Sequence, residues 1–180
     1  MKNKIIICIL GIVSLVLITG CENKEKKVTD SDYLYEEAVN YIINNDDNKD
    51  KENERYKLFV NYTSFGITKD EEHRYVYMWI NEESYYVEDN KIITSSGSSM
   101  PYKFTFDLKE NNVIKYEIPR DGNEYVKSIK EMYPNNLEKK AINYKNTDDK
   151  ITKEVKEYYK DLTDKSIYYY TGEEYIKLDK

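Results

Sequence analysis

The stretch HRYVYMWIN, residues 73–81, sets the kind of fold this chain adopts. On an extended backbone successive side chains point to opposite faces, so Tyr75, Tyr77 and Trp79 share one side and Val76, Met78 and Ile80 the other. Both sides are apolar or aromatic. Such a strand needs cover above and below, which predicts the centre of a sheet with packed layers on each face.

The neighbouring segments supply the rest of that sheet. Residues 56–65 alternate through Leu58, Val60 and Tyr62 and end before Gly66. Residues 84–88 and 91–94 flank Asp89-Asn90, a turn signal that predicts a hairpin, and 94–99 (TSSGSS) reads as a loop. Residues 101–108 alternate through Tyr102, Phe104, Phe106 and Leu108. After the turn Glu110-Asn111-Asn112, residues 113–118 are expected to turn Ile114, Tyr116 and Ile118 inward and Lys115 and Glu117 to water. These spacings predict an antiparallel meander.

Helical spacing appears on both sides of the meander. Leu34, Ala38, Tyr41 and Ile42 share one helical face behind Asp30 or Ser31, either of which is a suitable N-cap. That helix is expected to stop near Ile43, because 44–54 (NNDDNKDKENE) is polar throughout. After Pro119-Arg120-Asp121-Gly122, residues 123–133 predict a helix with Val126, Ile129 and Met132/Tyr133 inward, stopped by Pro134. Residues 136–144 predict a short helix. Another starts at the acid pair Asp148-Asp149, with Ile151, Val155, Tyr158/Tyr159 and Leu162 inward, and 167–178 reads as a last strand. The expected class is α+β: an N-terminal helix, an antiparallel meander sheet and C-terminal helices in a single domain, residues 32–180. A domain of about 150 residues buries roughly 68–70% of its unfolded surface.

Composition excludes several classes. Three Pro and six Gly in 180 residues exclude collagen-like and linker-like material, and two Cys exclude a disulfide scaffold. A net charge of −6 gives no basic footprint for a nucleic acid. With 20 Tyr among its residues the chain is too aromatic for a disordered polymer.

The first 21 residues carry an address. Lys2 and Lys4 precede a 14-residue apolar run, 5–18, interrupted by Cys8, Gly11 and Ser14. A permanent membrane span needs about 20 apolar residues, whereas a secretory core is shorter. The run ends in Ile18-Thr19-Gly20-Cys21, which resembles the bacterial lipobox: an aliphatic residue, a small or β-branched one, Gly or Ala, then Cys. The resemblance implies that diacylglycerol is attached to the Cys21 thiol as a thioether. It also implies cleavage between Gly20 and Cys21, so that 1–20 is a signal peptide. Residues 21–31 would then be a tether, and the membrane would be a partner through the anchor. The 26 remaining Lys and Arg against 34 acids leave the mature chain at −8, with no polybasic patch to assist the lipid. Cys8 leaves with the signal and Cys21 is alkylated, which excludes Cys nucleophiles and Cys metal sites. The wealth of Lys, Asn, Ile and Tyr, all with A/T-rich codons, favours a Gram-positive envelope, and the expected location is the extracytoplasmic face of the cell membrane.

Few motifs for chemistry are present. A zincin needs two His and a Glu on one helix face; Glu71-Glu72-His73 supplies one His and leads into a strand. No G-x-S-x-G elbow accompanies His73, which reads as a solvated side chain at a strand entrance. Asp46, Asn48 and Asp50 begin like a calcium loop, but Lys51 stands where Gly is needed and Lys57 where the bidentate Glu belongs. No Gly-rich phosphate cradle occurs, so neither a cofactor nor a metal is expected. Among 34 acids some pair falls at glycosidase spacing by chance, and without geometry this carries no specificity. Tyr75, Tyr77 and Trp79 with Tyr85, Tyr86 and Tyr102 can form a platform for sugar rings or a peptide; core packing explains the same residues. In Tyr168-Tyr169-Tyr170 at least one ring must face outward on a strand, which marks Tyr169 as a contact candidate.

Residues 97–101 (GSSMP), Phe104 and Phe106, 116–122 (YEIPRDG) and 128–134 (SIKEMYP) resemble a segment of clostridial extracytoplasmic proteins. Some of these are BlaR-type membrane metallopeptidases carrying it at the C-terminus, and others are small lipoproteins. The likeness spans about 97–142 and carries no active site. It implies an envelope sensing or interaction module, and protease activity does not follow because the zinc motif and transmembrane helices are missing. The expected function is that of a membrane-anchored lipoprotein with a non-catalytic domain that binds an envelope protein or glycan. An envelope hydrolase using two carboxylates is the alternative.

Overall fold

The computed structural model describes residues 30–46, 55–145 and 149–178. The signal segment with Gly20 and Cys21, the tether up to residue 29 and the polar run 47–54 lie outside the described residues. Helix α1 spans Asp30–Asn44, so Asp30 and Ser31 open the helix rather than close the tether. Asp30 and Asp32 stand in its first turn, where negative charge meets the positive end of the helix dipole.

Four strands follow as a meander: β1 (Lys57–Lys69), β2 (His73–Glu88), β3 (Lys91–Asp107) and β4 (Val113–Glu117). Each pairs antiparallel with the next. Asp89 and Asn90 close the β2–β3 hairpin with φ of 48° and 59°, the double left-handed turn whose twist matches its strands.

The strands are longer than expected. Residues 84–88 continue β2 without a break, and TSSGSS is part of β3 instead of a loop. The cause is polar satisfaction inside the sheet. Asn81 and Ser84 are buried on β2, and the serines of β3 supply their partners. Ser84 and Ser96 hydroxyls meet at 2.7 Å, Ser99 Oγ donates to Asn81 Oδ1 at 2.6 Å, and Trp79 Nε1 donates to Ser99 Oγ at 2.8 Å. Pairing passes from Ser84↔Ser96 to Tyr85↔Thr94, so Ser95 is the extra residue of a bulge.

The C-terminal segment is a hairpin rather than one strand: β5 (Ile167–Tyr170) and β6 (Tyr175–Leu178). β5 runs parallel to residues 92–94 of β3, which makes the six-stranded sheet mixed, in the order β1-β2-β3-β5-β6. β4 occupies residues 103–106 of the same β3 edge. The segment 97–142 therefore starts inside a strand and is not a separate unit.

β2 is central and covered on both sides. On one face α1 brings Leu34, Tyr35 and Ala38 onto Val76, Met78, Ile80, Tyr102, Phe104 and Phe106. On the other, α2 (Tyr125–Met132) and α3 (Asn135–Ile142) bring Ile129, Tyr133, Leu137 and Ala141 onto Phe65, Tyr77 and Trp79. Beside them α4 (Lys150–Tyr158) and the turn after it bring Ile151, Val155, Tyr159 and Leu162 onto Phe59, Tyr85, Ile92 and Ile167.

Several inward assignments are corrected. Ile114, Tyr116 and Ile118 are exposed: Val113 pairs with Phe106 and the register shift after it leaves Ile114 unpaired, while Tyr116 keeps to the Phe104 side, half open at the sheet edge, and Ile118 lies beyond β4. Val126 is exposed because Tyr125, Ile129 and Met132 carry the face of α2 that meets the sheet. Of Tyr158 and Tyr159, only the second is buried. Among the described residues no helix is long and apolar enough to cross a membrane.

Candidate functional site

At the C-terminal end of α1 the sheet opens into a cleft of about 290 Å³. The helix stops there because Asn45 turns back: its backbone N–H and its Nδ2 both donate to Tyr41 O, at 3.1 and 2.8 Å, which supplies partners for an otherwise orphaned carbonyl. Tyr41, Ile42, Asn45 and Asp46 form one wall, Tyr56 just before β1 and Leu58 on it another, and Tyr102 and Tyr116 a third. Glu82 and the backbone of residues 96–98 complete the lining.

Aromatic rings and carboxylate oxygens alternate around this cleft. Tyr116 stands 5.7 Å from Tyr102 and 6.1 Å from Tyr41, ring to ring, and remains 45% exposed. Tyr102 Oη donates to Glu82 Oε1 at 2.6 Å, and Tyr56 Oη donates to Asp46 Oδ2 at 2.8 Å. Burial pushes the Tyr102 phenol well above its usual range, and the Glu82 bond adds to this, so the phenol stays a neutral donor. Each carboxylate is thus held as an acceptor by the wall itself. The surface offers apolar ring faces next to fixed acceptors, a pairing suited to a ligand with both C–H faces and hydroxyls.

The five aromatic contact candidates are not gathered into one surface. Tyr77 and Trp79 are buried beneath α2 and α3, with Tyr133 4.9 Å from Tyr77 and Tyr144 4.8 Å from Trp79. Tyr102 lies on the opposite face, in the cleft wall. Tyr169 is exposed on β5 and pairs with Ile176, also exposed. Of the other rings in the stripe, Tyr85 is core and Tyr86 half-buried. Tyr75 is half-buried at the start of β2. His73 stands beside it, with Nδ1 3.7 Å from Asp70 Oδ1. Among the described residues no three His, Cys, Asp or Glu side chains converge to hold a metal.

Tyr75 has a measurable electrostatic role. Its hydroxyl donates to Asp70 Oδ2 at 2.6 Å, while Asp70 Oδ1 accepts the backbone N–H groups of Glu72 and His73 at 2.9 and 2.8 Å. The Tyr75 bond is the largest of the causes that lower the Asp70 carboxyl from 3.8 to about 2. Because the folded value is the lower one, this carboxylate stabilises the fold above pH 3.8, and that contribution is lost as pH falls toward 2. In Tyr75→Phe the Asp70 titration, followed by carboxyl NMR, should move up toward 3.8.

Spacing marks Tyr41 and Tyr116 only as inward-facing residues, and none of Tyr41, Tyr56 and Tyr116 as a site residue. Glu82 and Glu83, two adjacent acids inside β2, are the signal that could have found their cleft. No family model matches the chain, and no curated protein or solved structure does.

Proposed function

We propose that this protein is a lipid-anchored binding module on the extracytoplasmic face of the cell membrane, which holds an envelope glycan in the α1-end cleft without cleaving it. The address rests on the lipobox residues Ile18, Thr19, Gly20 and Cys21. With the anchor on Cys21 and α1 starting at Asp30, the intervening chain reaches at most about 30 Å, so the domain works close to the bilayer. The observation that carries the binding reading is the cleft itself: Tyr41 and Tyr116 offer rings, buried Tyr102 backs them, and Asp46 and Glu82 hold acceptor oxygens beside them. Acid-pair hydrolysis asks one carboxyl to donate a proton and the other to attack or activate water. Here each carboxylate already accepts a hydrogen bond from a phenol of the wall.

The test is a titration of the full-length lipoprotein in micelles with cell-wall oligosaccharides, with reducing ends assayed in parallel. Saturable binding, weakened about tenfold by Tyr116→Ala as expected for loss of one stacked ring, and no new reducing ends are the expected outcome. Release of reducing ends that stops in Glu82→Gln supports the two-carboxylate hydrolase instead.

A further inference from the structure

A second cleft, of about 470 Å³, lies on the opposite face near β4. Its chemistry is the reverse of the first. Two lysines, a histidine and four hydroxyl-bearing residues line it, together with Ile114, and no carboxylate does. This is unexpected in a chain with a net charge of −6.

The charges are set by β3 and β4. Lys103 and Lys115 project to the same side of paired strands, and both ammonium groups lean on one carboxylate oxygen. Lys103 Nζ is 2.9 Å and Lys115 Nζ 3.8 Å from Glu117 Oε2. One carboxylate serving two cations leaves positive charge uncompensated at the cleft wall. The side chain of Lys103 is only 18% exposed, and its ammonium sits 5.2 Å from the Tyr75 ring centre, which fixes its position. Of the acids near the cleft, Asp70 accepts the Tyr75 hydroxyl, and Asp107 stands across from His73 on β3.

The hydroxyls point to the same ligand. Thr105 is 2% exposed and lines the cleft, yet its Oγ1 has no hydrogen-bond partner among the described residues. A buried hydroxyl left in that state carries an uncompensated desolvation cost, which an acceptor oxygen placed in the cleft would remove. Thr68 Oγ1 and Tyr77 Oη approach to 3.2 Å, and that contact uses only one of their two protons.

We propose that this cleft binds a small organic anion. Its carboxylate or phosphate oxygens are received by Lys103, Lys115 and the Thr105 hydroxyl, and its apolar body lies against Tyr75 and Ile114. The site is independent of the glycan cleft on the other face. Calorimetric titration of the full-length protein in uncharged detergent micelles tests it, with benzoate and phenyl phosphate as probes and benzyl alcohol as the neutral control. One or both anions should bind saturably, and the stronger of the two identifies the head group; benzyl alcohol should not bind. Lys103→Gln should weaken binding about tenfold or more, as loss of a charged hydrogen bond does. Thr105→Val keeps the shape and removes the unpartnered hydroxyl, so it should fold at least as stably as the wild type while binding several-fold more weakly. A merely structural threonine would not separate those two readouts. Absence of saturable binding by either anion at millimolar concentration overturns the proposal. So does benzyl alcohol binding as tightly as the anions, or wild-type affinity in Thr105→Val.

Discussion

Cys21→Ala should abolish incorporation of a fatty-acid analogue, whereas Cys8→Ala should label like the wild type. The two cysteines differ only in their setting: Cys8 lies inside the apolar run, and Cys21 follows Ile18-Thr19-Gly20. A single acyl chain holds a protein marginally and two hold it stably, each buried methylene adding about 0.8 kcal/mol. On the proposed anchoring, with no basic cluster to assist, the thioether would account for all retention of the chain at the membrane. Without it the precursor keeps residues 5–18 or is cut elsewhere and released. Cells fed an alkyne fatty acid give the answer on a gel, and label persisting on Cys21→Ala would remove the basis for the proposed location.

The largest expected loss of stability is at Tyr159. Its ring is fully buried, 6.4 Å from Phe59 and 4.9 Å from Tyr158, centre to centre. Its hydroxyl donates to Arg55 O at 2.7 Å and lies 3.2 Å from Tyr85 O. Truncation to Ala opens an aromatic-sized cavity and should cost about 3–5 kcal/mol, a large part of the roughly 5–15 kcal/mol that holds a domain together. Tyr159→Phe keeps the ring and should cost about 1–3 kcal/mol for the lost buried bond. Urea unfolding of both variants separates packing from hydrogen bonding. Because Arg55 precedes Tyr56 of the α1-end cleft, Tyr159→Phe should also loosen the glycan binding proposed there.

The order of elements was legible from alternation and helical spacing, since Val76, Met78 and Ile80 against Tyr75, Tyr77 and Trp79 admit only a doubly covered strand. Strand lengths were not, because TSSGSS has loop composition and becomes strand only where buried Asn81 and Ser84 need its hydroxyls. The register shift after Val113, which leaves Ile114 unpaired in β4, was not legible either. The cleft at the end of α1 was legible only as isolated features: Tyr102 stood out, but Tyr41 and Tyr116 are brought to it by the end of a helix and the edge of a sheet, which no local spacing encodes. The anion cleft likewise joins Thr68, Lys103 and Lys115 from three strands.

The parallel pairing of β5 on β3 has a consequence for assembly. Ile92 meets Ile167, so the contact waits for a closure of some 75 residues with α2, α3 and α4 in between. Closing so long a span costs more than a hairpin does, and the reward comes late. The β2–β3 ribbon, turned by two residues, can form without waiting for the C-terminal segment. The carboxy-terminal tyrosines then act as a clasp, fastened last and released first.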